Sequence, residues 1–342
     1  MEFQIHTVFP AELMTEWNQL LAESSVHVPF LRHEYLHAWW STHGGGEWPQ
    51  DARLLIITAR ENQQLIGIAP LFYVPDWQGK ACLMLLGSIE ISDYLDVLVK
   101  PENLQDFIEG LLKFLTQPHA EIPNWQRLDL YNLLDSSPTL PALEAAARLM
   151  QLPCEVEQLQ HSPYIPLTGD WETYLAGIDK KQRHEIRRKM RRAQESEAAV
   201  RWYLVSDPST VDSEIQAFIE LMEQDPDKAR FLTPAMREQM KITVRCAFES
   251  GCLHLAFLEI DGNKAAGYLS FDYLNRIWVY NSGIDRAFIE YSPGWVLLGE
   301  LLKWSNENKR SAFDFMRGDE EYKYRFGAID RFVMRAKIEK EG

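Results

Sequence analysis

The sequence predicts an α/β protein that contains two copies of one structural unit. Apolar residues recur at helical spacing in some segments and alternate with polar residues in others. A β-hairpin pattern occurs twice, over Ala52–Val74 and over Cys252–Leu274. Each hairpin is followed by a strand, a helix and a strand with a central aspartate, Leu128–Leu130 in the first half and Phe313–Phe315 in the second. This order of elements, met twice in 342 residues, indicates an internal duplication.

The two hairpins also resemble each other in sequence. ITARENQQLIGIAPLFY in the first half corresponds to LEIDGNKAAGYLSFDY in the second, which aligns Gly67 with Gly267. The turn residues around Gly169 are the natural boundary between the copies. We therefore expect one domain over residues 1–167 and a second over residues 168–342.

The predicted elements follow the chain in order. Helices are expected where apolar residues recur every three to four positions: Ala11–Ala22, Phe30–Ser41, Pro101–Leu115, Pro141–Met150, Trp171–Glu197, Val211–Glu223, Pro234–Glu249 and Pro293–Asn306. Strands are expected where apolar residues alternate or form short runs: Ala52–Arg60, Leu65–Val74, Ala81–Gly87, Asp93–Val99, Trp125–Leu133, Val200–Val205, Cys252–Ile260, Lys264–Leu274, Arg276–Ile284 and Ser311–Phe315.

Composition narrows the classes of function. A net charge of −15 argues against a DNA-binding protein and against binding to an anionic membrane surface. The four cysteines form no CxxC pair, which favours free thiols in a reducing compartment. The N-terminal residues lack the pattern of a signal peptide, and no apolar run is long enough to span a bilayer. We therefore expect a soluble cytoplasmic protein that is not inserted into a membrane.

The segment Phe313–Gly327 has the character of a site. A short strand breaks at Gly318, and ionisable and phenolic side chains follow it: Asp319, Glu320, Tyr322 and Lys323. Ligands bind beyond the carboxyl ends of strands in α/β sheets, so these four residues are candidate catalytic groups. The ordinary alternative is a charged turn into a short helix, with Glu321 and Arg325 as an i,i+4 pair.

Two further features suggest anion binding. The helix that begins at Ser292, Pro293 and Gly294 has a capping residue, a proline in the first helical position and outward-facing N–H groups. Lys180–Arg192 holds eight Lys and Arg in thirteen residues, among them Arg183 and Arg187, within an acidic protein. The alternatives are an ordinary helix cap and a solvated charged helix.

Several other polar residues are candidate site residues. Asp93 and Tyr94 follow a predicted strand of the first half, either as part of a cleft or as an ordinary strand end. His254 is expected to be a structural histidine. His33, Glu34 and His37 spell HExxH, with His43 at third-ligand spacing, but Trp40 occupies the place of the glycine such zinc sites need. We expect no metal.

Four passages give the chain a resemblance to the GNAT acyltransferase superfamily, in particular to tandem-GNAT proteins of the FemAB-like and CelD-like groups. These passages are Phe30–Trp40, Ser92–Asp96, Lys180–Arg192, and Tyr291–Gly294 with the later Phe313–Lys323. The resemblance implies two tandem domains, each with a twisted mixed sheet flanked by helices. The first-half counterpart of Phe313–Lys323, Leu128–Pro138, lacks the Gly-Asp-Glu-Glu-Tyr-Lys sequence, so we expect the second domain to be the active copy. The loop before the Pro293 helix keeps one glycine but lacks the double-glycine pattern of the usual phosphate loop.

The resemblance also implies a chemistry. A GNAT enzyme moves an acyl group from acetyl-CoA or another acyl-CoA to an amine or hydroxyl, here of a small-molecule, saccharide or peptide acceptor, and the CelD-like group suggests exopolysaccharide or cell-envelope biosynthesis. The strand Arg276–Ile284 would be the central one, which places Tyr280 and Asn281 at the acyl group. Tyr291 and Tyr322 are then candidate proton donors, Asp319 and Glu320 candidate bases, and Lys323 an oxyanion or phosphate contact. Tyr291, Ser292 and Gly294 would bind the donor.

Alternatives to this function remain open. A FemAB-like enzyme would take its aminoacyl group from tRNA and act on a peptidoglycan precursor, although the long helical arm of several such enzymes is missing from the sequence. A catalytically silent pair of GNAT domains that binds a ligand is a second alternative. An HExxH zinc protease is the third.

Overall fold

The computed structural model describes residues 1–340, and these form two compact units. The first unit comprises Met1–Gln160 together with the chain from Phe332 onward, and the second comprises His161–Arg331. Each unit has one mixed β-sheet flanked by helices, which confirms the predicted fold class. None of the helices within residues 1–340 has the length and apolar character needed to cross a membrane.

The strands and helices are numbered along the chain. The strands are β1 (Glu2–His6), β2 (Arg53–Glu61), β3 (Gln64–Trp77), β4 (Lys80–Leu85), β5 (Leu98–Val99), β6 (Arg127–Leu134), β7 (Cys154–His161), β8 (Tyr164–Pro166), β9 (Val200–Leu204), β10 (Leu253–Ile260), β11 (Asn263–Tyr273), β12 (Arg276–Ile284), β13 (Ala312–Asp314) and β14 (Phe332–Glu339). The helices are α1 (Met14–Glu23), α2 (His33–Ser41), α3 (His43–Gly46), α4 (Leu104–Thr116), α5 (Thr139–Leu149), α6 (Trp171–Gly177), α7 (Lys180–Gln194), α8 (Val211–Met222), α9 (Pro226–Phe231), α10 (Pro234–Glu249), α11 (Pro293–Glu307) and α12 (Glu321–Arg325).

Both sheets are built on an antiparallel meander that ends in one parallel pair. The first sheet runs in the order β1-β2-β3-β4-β6-β14-β7, with β5 also paired to β3, and its parallel pair is β4–β6. The second sheet runs in the order β8-β13-β12-β11-β10-β9, and its parallel pair is β12–β13. A helix crosses between the parallel strands in each case, α4 in the first unit and α11 in the second.

The second sheet is covered by helices on both faces. Ile186 and Met190 of α7 join Leu297 and Leu301 of α11 in one core cluster with β10 and β11 residues such as Tyr268. Helix α8 packs on the opposite face of the sheet. Its Phe218 lies against Gly267 of β11, where an added Cβ would be 3.0 Å from the phenylalanine ring. Two helical layers therefore hold the sheet between them.

Strand register shifts the expected alignment of the two hairpins by one residue. The bulges of the two hairpins lie at Ile66 and Ala265, so that Gly67 corresponds to Ala266 and not to Gly267. The neighbours agree, since Gly67 lies against Phe107 of α4 whereas Gly267 lies against α8. The two hairpins are similar in sequence, but an alignment that is wrong by one residue assigns each side chain to the opposite face of its strand.

Several predicted elements change in the structure. The helix expected over Trp171–Glu197 is two helices, because Ile178 is extended and Asp179 caps α7 through the N–H groups of Lys181 and Gln182. The helix expected from Phe30 is interrupted at Arg32, which is extended. The strand expected over Asp93–Val99 is reduced to β5. The strands β1, β7 and β14 and the short helix α9 were not predicted.

Strand β14 places the end of the chain in the first unit. It pairs with β6 from Val333–Leu134 to Glu339–Arg127, and the boundary between units falls at Gln160 and again at Arg331. This division differs from the expected domains 1–167 and 168–342. The difference arises because β14 pairs with β6 on the side that β4 leaves open.

A buried ion pair fixes β14 in place. The guanidinium of Arg335 donates to both oxygens of Asp129 at 2.7 Å and to Glu157 of β7 at 2.9 Å. The carboxylate of Asp129 is fully buried. The pair holds β14 between β6 and β7, because separating it would leave the buried Asp129 carboxylate with only the more distant Arg127, at 3.8 Å.

We expect Arg335→Met to destabilise the first unit by about 3–5 kcal/mol, because it leaves the buried Asp129 carboxylate without its partner. Thermal unfolding followed by circular dichroism measures this loss. The double variant Arg335→Met with Asp129→Leu should recover a large part of it, since no charge then remains buried. A double variant as unstable as the single one would show that the pair is not the source of the loss.

Candidate active site

The second unit contains an open strand edge where its two parallel strands separate. β12 and β13 pair at Arg276–Ala312, Ile277–Phe313 and Trp278–Asp314. β13 ends there, whereas β12 continues to Ile284. The part of β12 after Trp278 therefore has no strand on that side within the described sheet, and we call this place the strand divergence.

The backbone of β12 is irregular at the strand divergence. Pairing with β11 passes from Leu269–Asn281 to Ser270–Val279, so Tyr280 stands opposite no residue of β11 in the described ladder. Such a bulge re-aims backbone groups. Side chains bond both polar backbone groups of Ser282: its N–H donates to Asn281 Oδ1 at 2.9 Å, and its carbonyl accepts from Lys228 Nζ at 2.5 Å. Tyr280 and Asn281 therefore lie at this bulge, on the part of β12 beside the open edge.

The loop after β13 is held closely by Lys323. Its ammonium group is buried and donates to the carbonyls of Arg317 at 2.8 Å and Gly318 at 3.0 Å. It also forms an ion pair of 2.8 Å with Glu320. All three N–H donors of this lysine have partners, so its role in the structure is to fasten the loop. A direct contact of Lys323 with an oxyanion or phosphate, as the sequence suggested, would require it to give up one of these bonds.

The remaining predicted catalytic residues differ in exposure. Asp319 and Glu320 are exposed to solvent. Tyr322 packs on Phe315, with ring centroids 5.9 Å apart. Burial raises the pKa of Tyr322 well above its usual value, and the neighbouring Tyr268 and Glu320 raise it further. A phenol with such a pKa stays neutral and gives up its proton poorly, which disfavours Tyr322 as the acid.

Lys228 of α9 completes this cluster, and sequence reasoning missed it. Its hydrogen bond to Ser282 places the ammonium on β12 at the strand divergence. Burial lowers the pKa of Lys228; the carboxylates of Asp225 and Glu320 oppose that effect, and the positive charge of Lys323 adds to it. The DPDK sequence resembles an ordinary helix start, with Asp225 as the cap, so the sequence carried no signal that this lysine reaches β12.

The start of α11 is close to β12 but is not capped as expected. Ser292 adopts the left-handed conformation with φ 54° and ψ 49°, and within the described chain its side chain makes no capping bond. A Cβ at Gly294 would lie 2.5 Å from Ile284 Cδ1, so this glycine allows the helix start to pack on the end of β12. The expected capping role of Ser292 is wrong, and the first N–H groups of the helix lack a side-chain partner from it.

The basic face of α7 borders this helix start. Arg183 donates to the carbonyls of Leu175 and Ala176, and Arg187 pairs with Glu172. The two arginines named from the sequence are therefore already engaged. Three others line an open cleft of about 420 Å³. The cleft residues are Arg188, Arg191, Arg192, Glu195, Ser196, Glu290 and Tyr291.

The cleft carries more positive than negative groups. Arg188 pairs with Glu185, and Arg191 lies 3.9 Å from Glu195. Arg192 has no ion-pair partner in the part of the chain that the structure describes. Tyr291 lies at the end of the 3₁₀ segment Arg286–Tyr291 that leads into α11. Cations, an aromatic ring and an uncapped helix start together suit a phosphate ester.

The first unit fills the corresponding place with its own chain. β4 pairs with β3 up to Leu85, and β5 resumes the pairing at Leu98. The residues between them leave the sheet at the position that Tyr280 occupies in β12. Asn132 of β6 holds this excursion, since its Nδ2 donates to Ile89 O at 2.8 Å and Ser92 O at 2.7 Å. The backbone carbonyl of Asn132 also accepts a hydrogen bond from the N–H of Leu95.

The predicted residues Asp93 and Tyr94 belong to this excursion. Tyr94 is fully buried, and Asp93 is partly exposed. The adjacent Asp96 is also buried and accepts hydrogen bonds from Ser137 Oγ at 2.5 Å and Thr139 Oγ1 at 2.6 Å. The excursion is therefore packed into the first unit, with the side chains of Tyr94 and Asp96 in its interior.

The side chains of the HExxH motif contact other groups of the first unit. His33 Nε2 lies 3.0 Å from the carbonyl of Pro10, and Glu34 pairs with Arg32. The ring centroid of Phe9 lies 4.9 Å from the ring centroid of each of His33 and His37. Residues 1–340 contain no cluster of three or more His, Cys, Asp or Glu able to hold a metal. His254 is buried beside Trp304, and burial lowers its pKa to about 4.

Comparison with known proteins agrees with this geometry. Residues 180–324 match the family model of an acetyltransferase (GNAT) domain. Curated proteins give no match to the chain.

Solved structures extend the likeness to the whole chain. The fold is similar to a crystal structure of FemX, at 12% identity and a TM-score of 0.68, over 97% of each chain. It is also similar to a protein of unknown function from Bacteroides thetaiotaomicron, at 10% identity and a TM-score of 0.58, over 99% of this chain and 100% of that one. A third similar structure is the C-terminal domain of a putative lysylphosphatidylglycerol synthetase from Agrobacterium fabrum, at 9% identity and a TM-score of 0.57, over 96% and 92%. The predicted resemblance is confirmed for the fold over the whole chain and for a GNAT domain model over residues 180–324.

Asp96 makes the stability of the first unit depend on pH. Burial raises the pKa of this carboxyl from 3.8 to about 6, despite opposing hydrogen bonds from Ser137, Thr139 and Val97. The folded chain therefore binds this proton more tightly than the unfolded chain. The stabilising contribution is full below about pH 4 and is lost as the pH rises through about 6.

We expect wild type to gain on the order of 1 kcal/mol relative to Asp96→Asn when the pH falls from 7.5 to 5, because only wild type has this titration. Thermal unfolding at both pH values measures the difference. Asp106→Asn, which changes an exposed carboxyl on α4, is the control and should show no comparable change. An Asp96→Asn difference that stays constant with pH would contradict the raised pKa.

Proposed function

We propose that this protein is an acyltransferase that moves an acyl group from a CoA thioester to an amine or hydroxyl acceptor at the strand divergence of the second unit. The observation that carries this proposal is the bulge at Tyr280 beside an open strand edge, within a GNAT domain. An open edge accepts an extended, amide-containing chain by adding it as a strand. The pantetheine arm of CoA is such a chain.

The proposed orientation of the donor follows from β12. The bulged backbone around Tyr280 and Asn281 supplies N–H donors to the thioester oxygen as it gains negative charge. The phosphates of CoA lead towards the start of α11 and the cleft of Arg188, Arg191 and Arg192, where guanidinium groups bind phosphate oxygens strongly. Tyr291, Ser292 and Gly294 keep their proposed place along this path.

The acceptor side is proposed to use Glu320. This carboxylate is exposed, forms an ion pair with Lys323 and is an electrostatic neighbour of Lys228, so it is placed to accept a proton from an amine or hydroxyl. Lys323 acts as a positioning residue that holds Glu320 and the loop. Asp319, also exposed, remains a second candidate base. The proposed acceptor is a small molecule, saccharide or peptide of cell-envelope biosynthesis, and the proposed compartment is the cytoplasm.

Aminoacyl transfer from tRNA is the second candidate, because α7 presents eight basic residues that could also contact an RNA backbone. Calorimetric titration with acetyl-CoA and CoA, and separately with aminoacyl-tRNA, distinguishes the two. Binding of acetyl-CoA, with release of free thiol when amines or sugars are added, supports the first. If millimolar acetyl-CoA gives no heat of binding and aminoacyl-tRNA does bind, aminoacyl transfer from tRNA replaces acyl transfer from CoA as the proposed function.

We expect the double variant Arg191→Ala/Arg192→Ala to bind CoA about 10–100-fold more weakly, because two charge-assisted contacts to phosphate are lost. Isothermal calorimetry measures the affinity. The control Arg148→Ala/Arg245→Ala removes the same charge from α5 and α10 and should bind CoA within twofold of wild type. Equal losses in the two double variants would show attraction by overall charge and would contradict a phosphate site in the cleft.

A further inference from the structure

Lys228 is placed to act on the leaving group of the reaction. Its side chain comes from α9, and its Nζ bonds the carbonyl of Ser282 on the open part of β12. Within residues 1–340 this carbonyl is the one hydrogen-bond partner of the ammonium, which leaves two N–H groups to donate elsewhere. A half-buried ammonium with spare donors at a strand divergence is otherwise unexplained by packing.

The register along β12 indicates which atom Lys228 would meet. Strands rise about 3.3 Å per residue, so Ser282 lies roughly 7 Å beyond Tyr280 towards the start of α11. A thioester whose oxygen faces the bulge at Tyr280 and whose phosphates lie at α11 has its sulfur on the Ser282 side of the carbonyl carbon. The ammonium of Lys228 is on that side, whereas the bulge amides are at the oxygen.

Three other proton donors of the second unit, Tyr268, Tyr322 and Lys323, are less suited to this task. Burial raises the pKa of Tyr268, and that of Tyr322 lies well above its usual value, so both phenols hold their protons. Lys323 has a partner for each of its three donors. Lys228 differs from all three, since burial lowers its pKa and makes the proton easier to transfer.

Resting on the function proposed above, we propose that Lys228 is a catalytic residue that protonates the departing thiolate of the acyl donor. The acceptor nitrogen or oxygen forms a bond to the carbonyl carbon, and the carbon–sulfur bond breaks. The proton of the acceptor passes to Glu320, and a proton of the Lys228 ammonium passes to sulfur to give the free thiol. Transfer of the proton from the Glu320 carboxyl to the neutral Lys228 amine then restores both groups.

Lys228→Gln is the decisive variant, because the Gln amide can still donate to the Ser282 carbonyl but cannot act as an acid. We expect kcat for acetyl transfer from acetyl-CoA to fall about 100–1,000-fold. The affinity for CoA should stay within threefold of wild type, which also shows that the variant is folded. The control Lys303→Met, on an exposed part of α11, should keep wild-type kcat.

The pH dependence of kcat separates an acid from a structural contact. In wild type, kcat should fall at high pH as the Lys228 ammonium loses its proton, and this fall should be absent in Lys228→Gln. A Lys228→Gln chain with wild-type kcat, or one that keeps the fall at high pH, would overturn the role of Lys228 alone. A wild-type chain that binds no CoA and turns over no acyl-CoA would instead overturn the proposed function itself.

Discussion

The buried carboxylate of Asp314 determines where β13 ends, and the site depends on that end. Asp314 is fully buried, pairs with Arg331 at 2.6 Å and accepts the N–H of Met316 at 3.0 Å. A chain bent back onto its own aspartate cannot continue as a strand, and Met316 takes a left-handed conformation with φ 56°. β12 therefore loses its neighbour after Trp278, and the open edge results from one charge that has to be neutralised in the core.

The first unit contains an equivalent buried ion pair, but its strand does not end there. Asp129 occupies the equivalent strand β6 and is also buried with an arginine, Arg335 of β14. Here β6 continues beyond the aspartate to Leu134 and is covered by β14. The excursion between β4 and β5 then packs against Asn132, where the second unit has its open edge. Both units thus contain the buried ion pair, but its surroundings differ, and the strand edge stays open in the second unit.

Sequence patterns predicted the elements whose residues determine them locally. The hairpins, α4 and α11 follow from alternation or helical spacing, and the internal repeat gave the class of fold. β14 could not be predicted, because its place in the first sheet depends on a partner some two hundred positions earlier, Asp129 for Arg335. The break between α6 and α7 was readable from Asp179 as a cap, but the continuous run of charged residues favoured one long helix.

The site shows the same limit. Sequence patterns make Tyr280, Asn281 and Glu320 candidates because each lies on or just after a strand of the repeat. Lys228 was not found, since nothing in its own segment reveals that its ammonium reaches β12. Lys323 was found for its charge, yet only the structure shows that the loop carbonyls already use that charge.

The position of β14 has a consequence for how the molecule comes into being. The first unit begins at Met1, but its sheet is incomplete until Phe332–Glu339 has been made. During synthesis on the ribosome, one edge of β6 stays unpaired until the whole second unit has been made. Unpaired strand edges of this kind are prone to pair with other chains. The second unit, contiguous from His161 to Arg331, is free to fold first, so the order of folding can run opposite to the order of the sequence.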